Sequence, residues 1–459
     1  MILTNPVVVS ILLMSVLCLM RFNVMLSIIF SAMLAGILSL ADFQVVHQIY
    51  QTQGFGYEML GVYWQTLEKT MKVFIKGMSG NLEVALSYIL LGGIACAIGR
   101  SHLTHILIYR VTPLIGNHKS LFCLWIALIA CFSQNLIPVH IAFIPVLIPP
   151  FLALMNRMKL DRRAVASALS FGLQAPYIAL PFGFGLIFHT IIRDSLKQNG
   201  VEVTLSDVAS VMWIGGVAMV VGLFVAIFVL YAKPRNYIQT RAEKRNLQEI
   251  NVSMDGRDYG VLFGVFVTFA VQYFSDSLFL GALVGLLTMI VSKGIVYDEV
   301  NEVMDGGMKM MSFIAFVVLV ASGYASVLQE GGSIGLLVNE TAGLMSNQVL
   351  SALLMLVIGL LITMGIGTSF GTIPIIATIF CPLGLALGFS TSAIILLVGI
   401  AGALGDSGSP ASDSTLGPTS GLNADGQHNH IWDTCVPTFL VYNTSLIVVG
   451  VVGAVWLNG

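Results

Sequence analysis

What most constrains this chain is how seldom a charge interrupts its apolar runs. Of 459 residues, 57% are hydrophobic and 10% charged, against roughly 25% charged in soluble domains. Windows of about 17–25 apolar residues can cross a bilayer as helices. Clear ones lie at 3–20, 22–40, 82–99, 209–231, 259–275, 277–293, 312–328 and 436–457. The expected fold class is an all-α polytopic membrane protein. The first run lacks a basic flank and a small-residue cleavage site, so it reads as a retained span rather than a signal peptide. Cys18, Cys96, Cys123, Cys131, Cys381 and Cys435 form no CxxC and read as small core residues. No basic run sits outside the membrane loops, so a nucleic-acid partner is not expected.

Four further apolar regions are interrupted by Gly, Pro or polar residues: 119–155, 162–192, 348–389 and 391–424. Their order repeats. Each half reads as two spans, an amphipathic stretch (60–78 or 297–310), a span, two interrupted regions and a span. RFNVMLSIIFSAMLAGIL (21–38) resembles YFSDSLFLGALVGLLTMI (273–290), and 75–99 parallels 304–328. Two structural repeats are therefore expected, 1–231 and 259–459, joined by a hydrophilic linker at 232–258. If 119–155 and 348–389 are re-entrant hairpins, each repeat crosses five times and the second is inverted. Five of the 21 Lys and Arg (Lys69, Lys72, Lys76, Arg193, Lys197) then fall on one side and the other sixteen opposite. The positive-inside rule makes the richer side cytoplasmic and puts both termini outside.

Backbone unpaired within a helix survives at membrane depth only inside protein or beside water. Paired broken segments therefore point to an internal site near the midplane, as in secondary transporters. The first hairpin tip would be Ser133, Gln134 and Asn135, with Pro138 in the return arm. The second would be Gly367, Thr368 and Ser369, with Pro374 in the return arm. Glycine and proline free main-chain groups at such tips, and Ser, Thr, Asn and Gln add oxygens. The broken helices hold Gln174, Pro176, Tyr177 and Pro181 in the first half, and Asp406, Ser409, Asp413 and Ser414 in the second. A carboxylate at membrane depth costs roughly 2.5–3.5 kcal/mol on insertion scales and marks function. Asp406 and Asp413 could ligate a cation, bind a proton, or do each in turn, and His140 in a hairpin arm could face the same site. His189 reads as interfacial. His428, His430 and Asp433 in GQHNHIWD do not have a zinc spacing, so no metal beyond a transported ion is expected. No Walker A motif occurs, so ATP does not drive the process directly.

The stretch GDSGSPASDSTLGPTSGLNADGQHNHIWDTCVPTF (405–439), with NPVVVSILLMSVLCLMRFNV and SQNLIPVHIAFIPVLIPP, resembles the NhaC-type Na⁺/H⁺ antiporter family of the ion transporter superfamily. The likeness runs along essentially the whole chain. It implies inverted repeats, two hairpins, two broken helices, a homodimer in the bacterial inner membrane and an elevator-like movement. Carried over, one sodium site would use Ser133, Gln134, Asn135 and the Gln174–Tyr177 loop. The other would use Thr368, Ser369, Asp406, Ser409 and Asp413. The first loop has no carboxylate, which departs from two equally charged sites. The branch also includes predicted amino-acid permeases, histidine among the candidate substrates.

Three function classes follow. Na⁺/H⁺ antiport would have Asp406 or Asp413 alternate between Na⁺ and H⁺. Na⁺- or H⁺-coupled uptake of a small amino acid or organic acid would place the substrate carboxylate at half-helix N-termini. An intramembrane enzyme is disfavoured, because no nucleophile–base pair is visible. No cofactor is expected besides Na⁺ and H⁺ as coupling ions.

Overall fold

A computed structural model describes residues 4–20, 22–41, 43–53, 56–103, 118–135, 143–182, 184–238, 254–275, 277–333, 335–336 and 347–459. His140 and Pro138 lie outside them, as do the side chains of Ser133, Gln134 and Asn135. Among the described residues every element is helical.

In the first half the helices are α1 (Pro6–Leu19), α2 (Val24–Leu40), α3 (Phe43–Gln53), α4 (Tyr57–Met78), α5 (Leu82–Arg100), α6 (Lys119–Asn135), α7 (Phe143–Arg157), α8 (Arg162–Ala179), α9 (Phe184–Gln198) and α10 (Leu205–Val225). The second half holds α11 (Gly256–Ser275), α12 (Leu278–Val291), α13 (Val300–Glu330), α14 (Gln348–Ile366), α15 (Ser369–Ala386), α16 (Thr391–Ala403), α17 (Asp413–Leu422) and α18 (His430–Asn458). By length and composition, four helices among the described residues can cross a membrane: the α10 region (Leu205–Leu230), the α13 segment Met311–Glu330, α14 and α18. The count reaches six if each of two bent pairs is one span.

The starts are chemically marked. Asn5, Asn23, Asn347 and Ser390 each accept a first-turn N–H with the side chain, and Thr204 and Asp207 form a reciprocal capping box. These caps satisfy donors that a helix end otherwise leaves bare. At α11, Asp255 and Asp258 cap one another's N–H groups and the Asp258 carboxylate also takes the N–H of His102. His102, Asp255 and Asp258 are the one trio of metal-ligand types found together among the described residues, and capping accounts for it.

Packing is reciprocal between the halves. α6 lies on α8 and α14 on α16; α7 lies on α17 and α15 on α9; α8 lies on α10 and α16 on α18. Outside that set, α2 packs on α13 and α12 on α5, while α5 and α13 share a long contact.

Two sequence expectations change here. The amphipathic stretch 297–310 and the span 312–328 are not separate: apart from a short turn at Tyr297–Glu299 they form the single helix α13. No proline occurs between 300 and 330 to end it. The break in the first broken helix is not at Gln174–Tyr177, which lie inside α8. It falls between Ala179 and Phe184. Pro181 dictates this, because the residue before a proline is driven out of helical geometry, and Leu180 is extended at φ −116°, ψ 129°. α8 and α9 meet there at 50°.

Candidate cation-binding site

The second half breaks where the Gly/Ser-rich run follows α16. That helix has 13 residues, about 20 Å at 1.5 Å per residue, which is short of a ~30 Å hydrocarbon core. An unwound coil, 404–412, follows it. Gly405 opens the coil at φ +82°. Asn443 braces it from α18: its Oδ1 accepts the Gly405 N–H at 2.9 Å and its Nδ2 donates to Ser407 O at 2.7 Å. Asn443 closes a π-helical turn, Phe439–Asn443, the kind of widened turn that recurs at functional sites.

Asp406 sits in this coil, 8% exposed. Tyr177 Oη of α8 donates to Asp406 Oδ2 at 2.9 Å, and Ser369 Oγ, the first residue of α15, donates to the same oxygen at 2.9 Å. Ser412 Oγ donates to Oδ1, and Ser414 Oγ lies 3.2 Å from Oδ1 and 3.0 Å from the Asp406 carbonyl. Gln174 joins the set through Ser407, which donates to its Oε1, and through its own Nε2, which donates to Ser414 Oγ at 3.3 Å. The α8 helix, the start of α15 and the coil after α16 thus converge on one carboxylate. Among the described residues, the side chains that touch its carboxylate are all hydroxyls. An aromatic cluster of Tyr177, Phe188 and Phe370, with centroids 4.9–5.5 Å apart, walls off one side.

Between α14 and α15 the chain makes a tight turn. α14 ends at Ile366, Gly367 turns the chain at φ +77°, and α15 starts at Ser369. Thr368 is exposed and makes no cap bond, so of the two tip hydroxyls only Ser369 reaches Asp406. Ser409 donates instead to Met364 O at 3.1 Å. Asp413 opens α17, half-buried, and accepts Tyr88 Oη at 2.9 Å. Pro176 is buried within the last turn of α8. Of Gln174 and Tyr177, which the sequence pairs with Ser133–Asn135, Tyr177 bonds Asp406 directly and Gln174 stands behind it through Ser407 and Ser414. Ser133, Gln134 and Asn135 form the last turn of α6 rather than a loop beyond it.

His189 is fully buried in the protein: its Nε2 donates to Ile178 O at 2.9 Å, a carbonyl near the α8 break. His428, His430 and Asp433 are also buried. Sequence reasoning missed Tyr88, Ser412 and Asn443. Asn443 had a signal, an amide alone in an apolar span, since a buried amide without a partner is costly.

This fold, with broken helices around a buried carboxylate in an apolar helical assembly, defines a polytopic membrane protein of the transporter class. A family model described as "Na+/H+ antiporter family" matches residues 168–454, and one described as "Na+-H+ antiporter family" matches 5–115. The chain belongs to the Na⁺/H⁺ antiporter family; it is a secondary transporter and not an enzyme. It is 46% identical over 409 residues to YuiF of Bacillus subtilis (strain 168), provisionally named an amino acid transporter, covering 85% of this chain and 91% of that one. It is 43% identical over 466 residues to an uncharacterized membrane protein of Vibrio parahaemolyticus, covering 99% of this chain and all of that one. Among solved structures, the Alcanivorax borkumensis YdaH transporter aligns over 86% of this chain and 89% of its own at 14% identity and TM-score 0.41, a distant likeness.

Proposed function

We propose that this protein exchanges Na⁺ for H⁺ and that Asp406 is the group that holds them in turn. The observation that carries the reading is the make-up of the Asp406 surroundings: one carboxylate, four hydroxyl oxygens and the carbonyls of an unwound coil, with no Lys or Arg among its partners. Hard cations take oxygen ligands, and unwound carbonyls supply them in transporters. When the cation leaves, a proton takes its place on the carboxylate. Asp413, with Tyr88 on it, is the second candidate carboxylate. Ser133, Gln134 and Asn135 remain the proposal for a first-hairpin contribution.

Two inverted repeats, 1–231 and 259–459, with re-entrant hairpins at 119–155 and 348–389 and broken helices at 162–192 and 391–424, are the architecture we propose. The reciprocal helix packing supports it. The same pairing supports an elevator-like movement, since the hairpins and broken helices pack mainly on one another. We place the protein in the bacterial inner membrane, both termini outside and the 232–258 linker cytoplasmic, on the lysine and arginine distribution, and as a homodimer by family likeness. No nucleic-acid partner or cofactor enters the scheme.

Cation-coupled uptake of a small amino acid or organic acid is the second reading; the 46% identity to YuiF favours it. Proteoliposomes separate the two. Addition of Na⁺ with no organic solute should dissipate an imposed pH gradient, and Asp406→Asn should abolish that response. Sodium-dependent accumulation of a labelled amino acid, with no solute-free proton movement, would overturn antiport in favour of uptake.

A further inference from the structure

The helices pack as two sets. α1, α2, α4, α5, α11, α12 and α13 pack mainly on one another, and so do α6–α10 with α14–α18. Asp406 and the groups around it belong to the second set. The sets meet where α5 touches α7, where α1 and α13 touch α14, and where α13 touches α17. Much of that boundary is apolar. Gly365 of α14 lies against Ile11 of α1 and Leu328 of α13, and the Phe313 ring of α13 stands 6.2 Å from the His430 ring. Apolar contact is not directional, so by itself it does not fix one set at a single register on the other.

Long-range side-chain bonds mostly stay inside a set. Ser10–Tyr324 and Ser277–Glu83 lie within the first, and Tyr177–Asp406, Thr363–Ala401 O and Tyr442–Ser167 O within the second. One bond crosses: Tyr88 Oη of α5 donates to Asp413 Oδ1 of α17 at 2.9 Å. Tyr88 is buried and Asp413 half-buried. A hydrogen bond to a carboxylate is both directional and strong, which suits it to set the register that the apolar contacts leave loose.

Asp413 is also part of the turn that serves Asp406. Ser412, just before it, donates to Asp406 Oδ1, and Ser414, just after it, lies 3.2 Å from the same oxygen. Ser412 Oγ further accepts the Ser414 N–H at 3.1 Å as the cap of α17, so the three residues form one tight turn. Its two serines face the site and the aspartate between them faces the other helix set.

We propose that Tyr88 is a positioning residue for the exchange: through Asp413 it ties the turn that serves Asp406 to the facing helix set, and so passes the binding of a cation to the boundary between the sets. The proposal rests on the antiport reading of Asp406. A cation on that carboxylate draws the Ser412 and Ser414 oxygens toward itself, where Ser412 otherwise directs a hydrogen at Oδ1. The turn shifts, and the hold of Tyr88 on Asp413 changes with it. Coupling of this kind is reciprocal, so removing the Tyr88 hydroxyl alters both the balance between arrangements of the two sets and its response to Na⁺.

The test uses the full chain in lipid nanodiscs. Spin-labelled noncanonical residues replace Val217 of α10 and Val291 of α12, one in each set and both exposed, which leaves the native cysteines in place. Double electron–electron resonance then reads the ratio of set-to-set distances. Without Na⁺, Tyr88→Phe should shift that ratio about tenfold, the low end for a hydrogen bond to a charged group. Asp413→Asn removes the charge, should shift the ratio the same way, and serves if Tyr88→Phe does not fold. The double variant should shift it no further than the larger single effect, as for groups that act through one contact. Na⁺ should move the ratio in the wild type and move it less in Tyr88→Phe. An unchanged Na⁺-free ratio in both single variants, or a double variant equal to their sum, overturns the tie. A Na⁺ response of full size in Tyr88→Phe overturns its link to Asp406. If the wild type gives no Na⁺ response while Tyr88→Phe still shifts the Na⁺-free ratio, the antiport reading fails and the tie between the sets stands.

Discussion

The Asp406 carboxyl meets four neighbouring hydroxyls, those of Tyr177, Ser369, Ser412 and Ser414, and in the proposed exchange they hold it in place for the cation. Ser369→Ala and Tyr177→Phe each delete one donor to Oδ2. A hydrogen bond to a charged group contributes about 1.5–3 kcal/mol, and 1.4 kcal/mol is a factor of ten. The sodium concentration for half-maximal dye response should therefore rise about tenfold in either variant. An unchanged midpoint in both would remove Asp406 from the cation pathway. The sequence made Asp406 and Ser369 legible because Gly and Ser beside a carboxylate contradict the apolar runs on either side. Tyr88 and Ser412 were hidden. A tyrosine in an apolar span and a serine in a serine-rich run are ordinary, and only the fold brings Tyr88 within 2.9 Å of a carboxylate 325 residues away.

At the level of elements, the breaks are where the sequence acts most directly, and each has one dominant cause. Pro176 and Pro181 both looked able to break the first-half helix. Pro176 is absorbed within the last turn of α8, whereas Pro181 forces Leu180 into extended geometry and ends it; composition alone does not rank the two. In the second half Gly405 does the work, with a positive φ and no room for a side chain. A Cβ there would meet Leu360 O and Met364 N, both at 2.7 Å. Gly426, at φ +74°, is also left-handed, but nothing lies within 4 Å of its would-be Cβ. The left-handed penalty of about 1–2 kcal/mol applies to both; the backbone clash applies to Gly405 alone and adds about 1–3 kcal/mol. Gly405→Ala should therefore lower the detergent melting temperature clearly more than Gly426→Ala. Equal losses would mean that α14 yields easily and that the coil is not pinned against it.

Across the whole molecule, the basic end is fastened by a clamp that no single stretch of sequence announces. Arg162, fully buried, donates to Asp425 Oδ1 at 2.7 Å, to Asp425 Oδ2 at 2.5 Å, to Leu422 O at 2.9 Å and to Asn156 Oδ1 at 2.9 Å. It thereby joins α7, α8 and the end of α17. The 232–238 segment lies over it: Tyr237 stacks 4.3 Å from the guanidinium, Arg235 pairs with Asp433 at 2.6 Å, and the Ile238 main-chain N–H donates to Gln427 Oε1 while its C=O accepts from Gln427 Nε2. The linker's basic residues read as a topology signal; the segment's use as a strap depends on partners far away in the chain, Arg162, Gln427 and Asp433. Two groups make the clamp region sensitive to acid in different windows. Burial alone would raise Asp425, but the Arg162 hydrogen bonds outweigh it and hold the carboxyl below its ordinary 3.8. Its contribution is present above that value and is lost as pH falls through the still lower folded value. His428 is held down to about 3 against an ordinary 6.5. Below pH 6.5 the unfolded chain takes up a proton that the folded chain refuses, so stability falls steadily as pH drops from 6.5 toward 3. Between pH 7.5 and 5, then, His428 acts and Asp425 does not. Melting temperatures in detergent should decline over that interval in the wild type and decline less in His428→Gln, while Asp425→Asn, destabilised at every pH, should keep the wild-type slope. A wild-type profile flat from pH 7.5 to 5 would show that His428 is reached by protons in the folded protein as easily as in the unfolded one.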